Sequence, residues 1–222
     1  MADRYYVYKC IADDGKAPCV DRNLLTLTIC KPMIRKSAVP NDWIFAFGSN
    51  SETPANRLIY IARISKRLPG GQYFDLQEYN GRQDCIYERT AQGVIRQHFD
   101  ATVHESPDAQ RRDIGSHPTY ENAIALVCPD FRYFGASGTD EWKERSPYLR
   151  RLIETMGQGH RVNHSREVRD ELLKMKDSIW LRFPKKVNGK PLHADNLRVG
   201  CDSFTVSCHQ PKERKPKKTR TC

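Results

Sequence analysis

The chain has 222 residues, 38% of them hydrophobic, and a formal net charge of +10. That length supports one sizeable core, and no apolar run reaches the roughly 18 residues of a membrane span, which excludes a helical membrane protein. The first residues, MADRYYVYKC, lack the apolar centre of an export signal, so a cytoplasmic protein with no membrane partner is expected.

Residues 4 to 10 are aromatic and β-branched enough for a strand, and Asp14-Gly15 supplies a turn, so the chain is expected to begin with a hairpin. In the next run Leu25, Leu27 and Ile29 alternate with Thr26, Thr28 and Cys30, the period of a half-buried strand with Cys30 on its more polar side. Residues 42 to 48 and 58 to 65 are apolar on both faces, as strands covered on both sides are. Residues 72 to 122 are polar and hold only short strand candidates around Cys85 and Val94, while 123 to 128 and 131 to 134 restore the strand pattern.

After residue 139 the period becomes helical. Ser146-Pro147 opens a helix with Leu149, Leu152, Ile153 and Met156 on one stripe, and a second helix from about Ser165 carries Val168, Leu172, Met175 and Ile179. A hairpin is expected at Asn188-Gly189. The fold class is therefore α+β: a β-rich body with amphipathic helices in the C-terminal third. Residues 1–210 form one domain, and 211–222 form a disordered basic tail that carries half of the excess charge. Its Lys212, Arg214, Lys215, Lys217 and Lys218 are suited either to DNA phosphates or to plain solubility.

Eight scattered cysteines without a CxxC pair read as reduced thiols. Cys30, beside Lys31 and near Arg35, is the best placed nucleophile, and Cys85 is second. His117, in a Gly-Ser-His-Pro loop, is a candidate general acid or base. Lys31, Arg35, Ser49 and Asn50 flank two strand ends, and Trp43 and Phe45 are either the aromatic wall of a base pocket or ordinary core. Asp130 and Arg132 are either a structural pair or a second binding element. His160 and His164 have the spacing of two ligands on one helical face, but Gly157, Gly159 and Asn163 argue against a helix there, and Cys201, Cys208 and His209 have no fourth partner at standard spacing, so no metal and no cofactor is assigned.

The blocks CKPMIRKSAVPNDWIFAFGSN, NRLIYIARISKRLPGGQY, DCIYER and PDFRYFG together resemble the second nucleotide-modification-associated domain family, over about residues 4 to 185. That resemblance implies a bacterial or phage protein of a DNA hypermodification or restriction-modification pathway, with DNA and other pathway proteins as partners. Asp42-Trp43-Ile44-Phe45 and Ile59-Tyr60-Ile61-Ala62-Arg63 are also similar, more loosely, to the PUA, ASCH and EVE class of small β-barrels. Two functions are consistent with these features. One is an enzyme acting on a base already in DNA, for instance converting the nitrile of a deazaguanine to an amide. The other is a non-catalytic reader of a modified base, and an enzyme of free nucleotides ranks third.

Overall fold

A computed structural model describes residues 3–194 of the chain. The tail with Lys212 to Lys218, and Cys201, Cys208 and His209, lie outside the described residues. In chain order the elements are β1 (Tyr5–Lys9), β2 (Cys19–Asp21), β3 (Leu24–Leu27), α1 (Pro32–Ser37), β4 (Trp43–Phe47), β5 (Leu58–Arg63), β6 (Lys66–Leu68) and α2 (Gln72–Asp75). There follow β7 (Tyr87–Arg89), β8 (Ile95–Gln97), α3 (Pro107–Ile114), β9 (Ala125–Cys128), β10 (Asp130–Tyr133), α4 (Trp142–Arg145), α5 (Pro147–Thr155), β11 (His160–Arg161) and α6 (Arg166–Arg182).

The chain is α+β. Its main sheet has the order β10-β5-β4-β1-β11, a second sheet runs β2-β3-β9-β6, and β7 and β8 form a separate hairpin. These described strands do not close into a barrel, because β10 and the two-residue β11 stand at opposite ends of the main sheet and do not pair with each other. Nor does β1 open a hairpin: it lies parallel to β4 on one side and antiparallel to β11 on the other, so neither edge is left for β2. At Asn188-Gly189 the structure shows only an isolated parallel bridge from Val187 to Tyr133 in place of a hairpin. No helix among the described residues is long and apolar enough to cross a membrane.

Alternation along the main sheet gives it two apolar faces. Tyr5, Val7, Trp43, Phe45, Phe47 and Ile61 pack under the stripe of α5 and α6 that includes Leu149, Ile153, Leu172 and Met175. Tyr6, Tyr8, Ile44, Ala46, Tyr60 and Ala62 pack instead toward Leu25, Leu27 and Leu126 of the second sheet. The polar side of β3 also turns inward. Thr26 and Thr28 donate to the buried Asp84 carboxylate, which Tyr73 and Arg82 complete, so the hydroxyls are satisfied without water.

Two buried cations tie the layers together. Arg35 has no exposed surface, and its guanidinium donates to the carbonyl oxygens of Cys30, Asp113, Asn122 and Ile124, joining α1, α3 and the segment before β9. Lys9, 5% exposed at the end of β1, donates to the side-chain carbonyls of Asn50 and Asn56 and so orders the β4–β5 loop. Burial first, and then the charge of Lys143, lower its pKa to about 8.

Truncating Arg35 strands four buried carbonyls. Arg35→Ala is expected to cost about 3–5 kcal/mol in urea unfolding, with Arg35→Lys a poor rescue because an ammonium lacks the planar fork. For Lys9 the folded pKa lies below the unfolded value near 10.5, so between pH 8 and 10.5 the unfolded chain binds more protons and stability rises with pH. The urea midpoint of wild type relative to Lys9→Met should climb across that window; parallel profiles would count against the assignment.

Candidate active site at Cys30, His104 and Asp113

Where β3 ends, Cys30 and Lys31 both adopt left-handed backbone conformations, with φ of 56° and 43°. Two consecutive non-glycine residues there are strained and need external support. It comes from both ends of the Cys30 peptide: its N–H donates to Asp113 Oδ1 at 2.9 Å, and its carbonyl accepts from Arg35 Nε at 2.7 Å. The turn thereby holds the half-exposed Cys30 side chain with Sγ 3.3 Å from Nε2 of His104.

His104 is 4% exposed, and its Nδ1 bonds Asp113 Oδ2. A carboxylate accepts only, so Nδ1 carries the proton and Nε2 faces the thiol with a lone pair. Asp113, 1% exposed in the last turn of α3, also accepts from the Tyr87 hydroxyl at 2.9 Å, and Arg35 Nη2 stands 3.8 Å from its Oδ1. Burial, and next the Asp113 charge, push Tyr87 well above the usual phenol range, which keeps it a donor. The arrangement sets a thiol within hydrogen-bond reach of an imidazole that a carboxylate orients, a geometry of the kind that nucleophilic acyl-transfer chemistry uses.

Of the residues singled out in the sequence, Cys30 and Lys31 belong to this site. Lys31 Nζ lies 5.0 Å over the Tyr8 ring and donates to the Lys9 carbonyl at 3.3 Å. Asn50 meets the same lysine at its ammonium, while Ser49 bonds Ser51 on the exposed loop. Arg35 supports the turn from inside and has no surface to offer a phosphate. Trp43 and Phe45 face the helices, Trp43 edge-on to Trp180 at 5.3 Å, so both are core. Asp130 and Arg132 clamp the end of α6: Trp180 Nε1 donates to Asp130 at 3.2 Å, and Arg132 stacks on the Trp180 ring and bonds the Phe183 carbonyl.

His117 is exposed with its ring against Tyr120, and the base beside Cys30 is His104 instead. Cys85 lines a separate cavity of about 550 Å³ with Phe74, Asn80, Tyr87, Glu88 and His98. Burial first, with Asp84 adding to it, pushes its thiol up to about 11, so it stays protonated near neutral pH. The sequence reading did not find His104, Asp113 or Tyr87. They lie in the polar stretch 72 to 122, where the one usable signal was Ser106-Pro107, which opens α3 with the Ser106 hydroxyl accepting from Ala109 N–H. Among the described residues no group of three or more His, Cys, Asp or Glu side chains is arranged to hold a metal ion.

Comparisons with known proteins bear on the family. No curated protein matches the chain at a significant level. Among solved structures, the ASCH crystal structure from Zymomonas mobilis aligns with a TM-score of 0.38 and 11% identity, covering 77% of this chain and 94% of that one. A family model described as nucleotide modification associated domain 2 matches residues 2–198. With nearly all of the described fold inside that match, the chain belongs to the nucleotide modification associated domain 2 family.

Proposed function

We propose that this protein is an enzyme that tailors a base already present in DNA, using Cys30 as a nucleophile toward an electrophilic carbon on the base. The observation that carries the reading is the Cys30–His104–Asp113 relay, because a half-exposed thiol facing a buried, carboxylate-oriented imidazole is an arrangement a purely packed core has no need of. The family supplies the nucleotide-modification context. DNA, rather than free nucleotide, is the substrate that suits a basic chain of this charge.

A deazaguanine nitrile is a substrate on which every step balances. His104 Nε2 takes the thiol proton as sulfur bonds the nitrile carbon, one π pair moves to nitrogen, and His104 returns the proton there to give a thioimidate. Water, deprotonated by His104, then adds to the same carbon. The C=N π pair moves to nitrogen, which takes that proton from His104 to become NH2; the hydroxyl then forms the carbonyl as the C–S bond breaks, its proton passes through His104 to the departing thiolate, and the product is the primary amide, the sum of nitrile and water. Lys31, next in the chain to the nucleophile, offsets charge developing on the substrate nitrogen, and Asp113 stabilises the imidazolium that forms in between.

Incubating the full chain with an oligonucleotide that bears the nitrile base, then digesting to nucleosides for mass spectrometry, tests this. The account expects a gain of one water with wild type, none with Cys30→Ala, and a rate lower by about 10²–10⁴-fold with Asp113→Asn. If wild type binds the oligonucleotide but leaves it unchanged, the protein is a reader and the enzymatic reading is wrong.

A further inference from the structure

Charge on the described part of the chain is unevenly placed. Between residues 145 and 169 there are six arginines against only Glu154 and Glu167. Those carboxylates and the ones just beyond are already engaged: Glu154 with Arg150 at 2.9 Å, Glu167 with Ser165, Asp170 with Arg166 at 3.9 Å, and Glu171 with the first amides of α5. Among the described residues Lys31, Arg161 and Arg169 have no carboxylate within 4.0 Å. Their positive charge is therefore available to a partner.

Strand β1 sets their spacing, with Arg169 on the face that α5 and α6 cover and Lys31 on the opposite face, so the cations flank the β11 edge from both sides. Arg169 lies 5.3 Å over the Tyr5 ring, Arg161 is the register partner of Val7, and His160 that of Tyr8, whose ring Lys31 covers. Lys31 and His160 are close enough that the lysine charge helps lower the histidine pKa, after burial and Arg161. From Tyr5 to Tyr8 a strand advances about 10 Å. A DNA strand carries one phosphate per nucleotide, so an edge of this length meets a short run of consecutive phosphates. One helical turn on from Ser165, Arg166 and Arg169 extend the same cationic edge along α6.

We infer that the β11 edge, from Lys31 through His160 and Arg161 to Arg169 and Arg166, is a docking track for the phosphodiester backbone of a DNA strand whose target base enters the Cys30 site. The track begins at the residue next to the nucleophile, which explains how contacts to flanking phosphates set the position of one base. It rests on the proposed function only for the identity of the polyanion. A single nucleotide does not fill it, so affinity resides in the strand and chemistry at the thiol.

Arg161 and Arg166 are exposed and can be reversed without disturbing packing, so R161E/R166E is the variant to use, with R169Q as a second and K66E on the other sheet as control. Binding of a fluorescein-labelled duplex DNA to the full chain is measured by anisotropy across a salt series. The track predicts at least a tenfold loss at low salt for R161E/R166E, a slope of log affinity against log salt shallower by about 1.8, a smaller loss for R169Q, and little change for K66E. Wild-type affinity in R161E/R166E overturns the inference, as does an equal loss in K66E. Cys30→Ala should bind DNA like wild type. Thus a track that fails while Cys30→Ala abolishes conversion leaves the enzymatic reading standing, and wild type without conversion but with a charge-sensitive edge leaves the track standing.

Discussion

The Asp113 carboxylate is the point on which the site depends. Its two oxygens receive the Cys30 amide, the Tyr87 hydroxyl and the His104 ring, and so gather three segments that are distant in sequence. A carboxylate buried this deeply is unfavourable unless nearly every lone pair is met, and here the donors that meet it also place the nucleophile and the base. Arg35 closes the arrangement from below by donating to the backbone carbonyls of Cys30 and Asp113 themselves. Structure and chemistry therefore draw on the same hydrogen bonds: loosening α3 moves the base, and relaxing the left-handed turn moves the thiol.

The sheet explains why the site sits where it does. Both faces of β1, β4 and β5 are covered, one by α5 and α6 and the other by the second sheet. The strand ends and the β11 edge are what this covering leaves accessible. The strand-end loop after β3 carries Cys30 and Lys31, and the edge carries the exposed Arg161 and Arg166. On the proposed reading, separate regions would serve the two demands of a DNA substrate: a partly desolvated thiol for one base and a wet cationic edge for the backbone.

What the sequence made legible follows from periodicity. The two-sided apolar pattern of 43 to 47 and 58 to 63, and the stripes of α5 and α6, needed only local spacing and appear as read. Pairing did not follow from spacing, because a turn at Asp14-Gly15 says nothing about whether β1 has a better partner in β4. Cys30 and Lys31 were visible through their neighbours in the chain. His104 and Asp113 were not, since they stand 74 and 83 residues from Cys30, in short elements with weak periodicity. Arg35 misled for a related reason: an arginine among cations reads as a phosphate ligand until its carbonyl partners, up to 89 residues away, are seen.

The central claim is that His104, held by Asp113, activates Cys30. Its most direct measure is the rate of iodoacetamide alkylation at each cysteine, followed by peptide mass spectrometry at neutral pH in wild type, His104→Ala and Asp113→Asn. Cys85, whose thiol burial pushes up to about 11 and so keeps protonated, is the internal reference. The account predicts that Cys30 reacts well ahead of Cys85 in wild type and falls back toward it in both variants. A Cys30 rate no faster than that of Cys85, or one unmoved by the loss of His104, would contradict it.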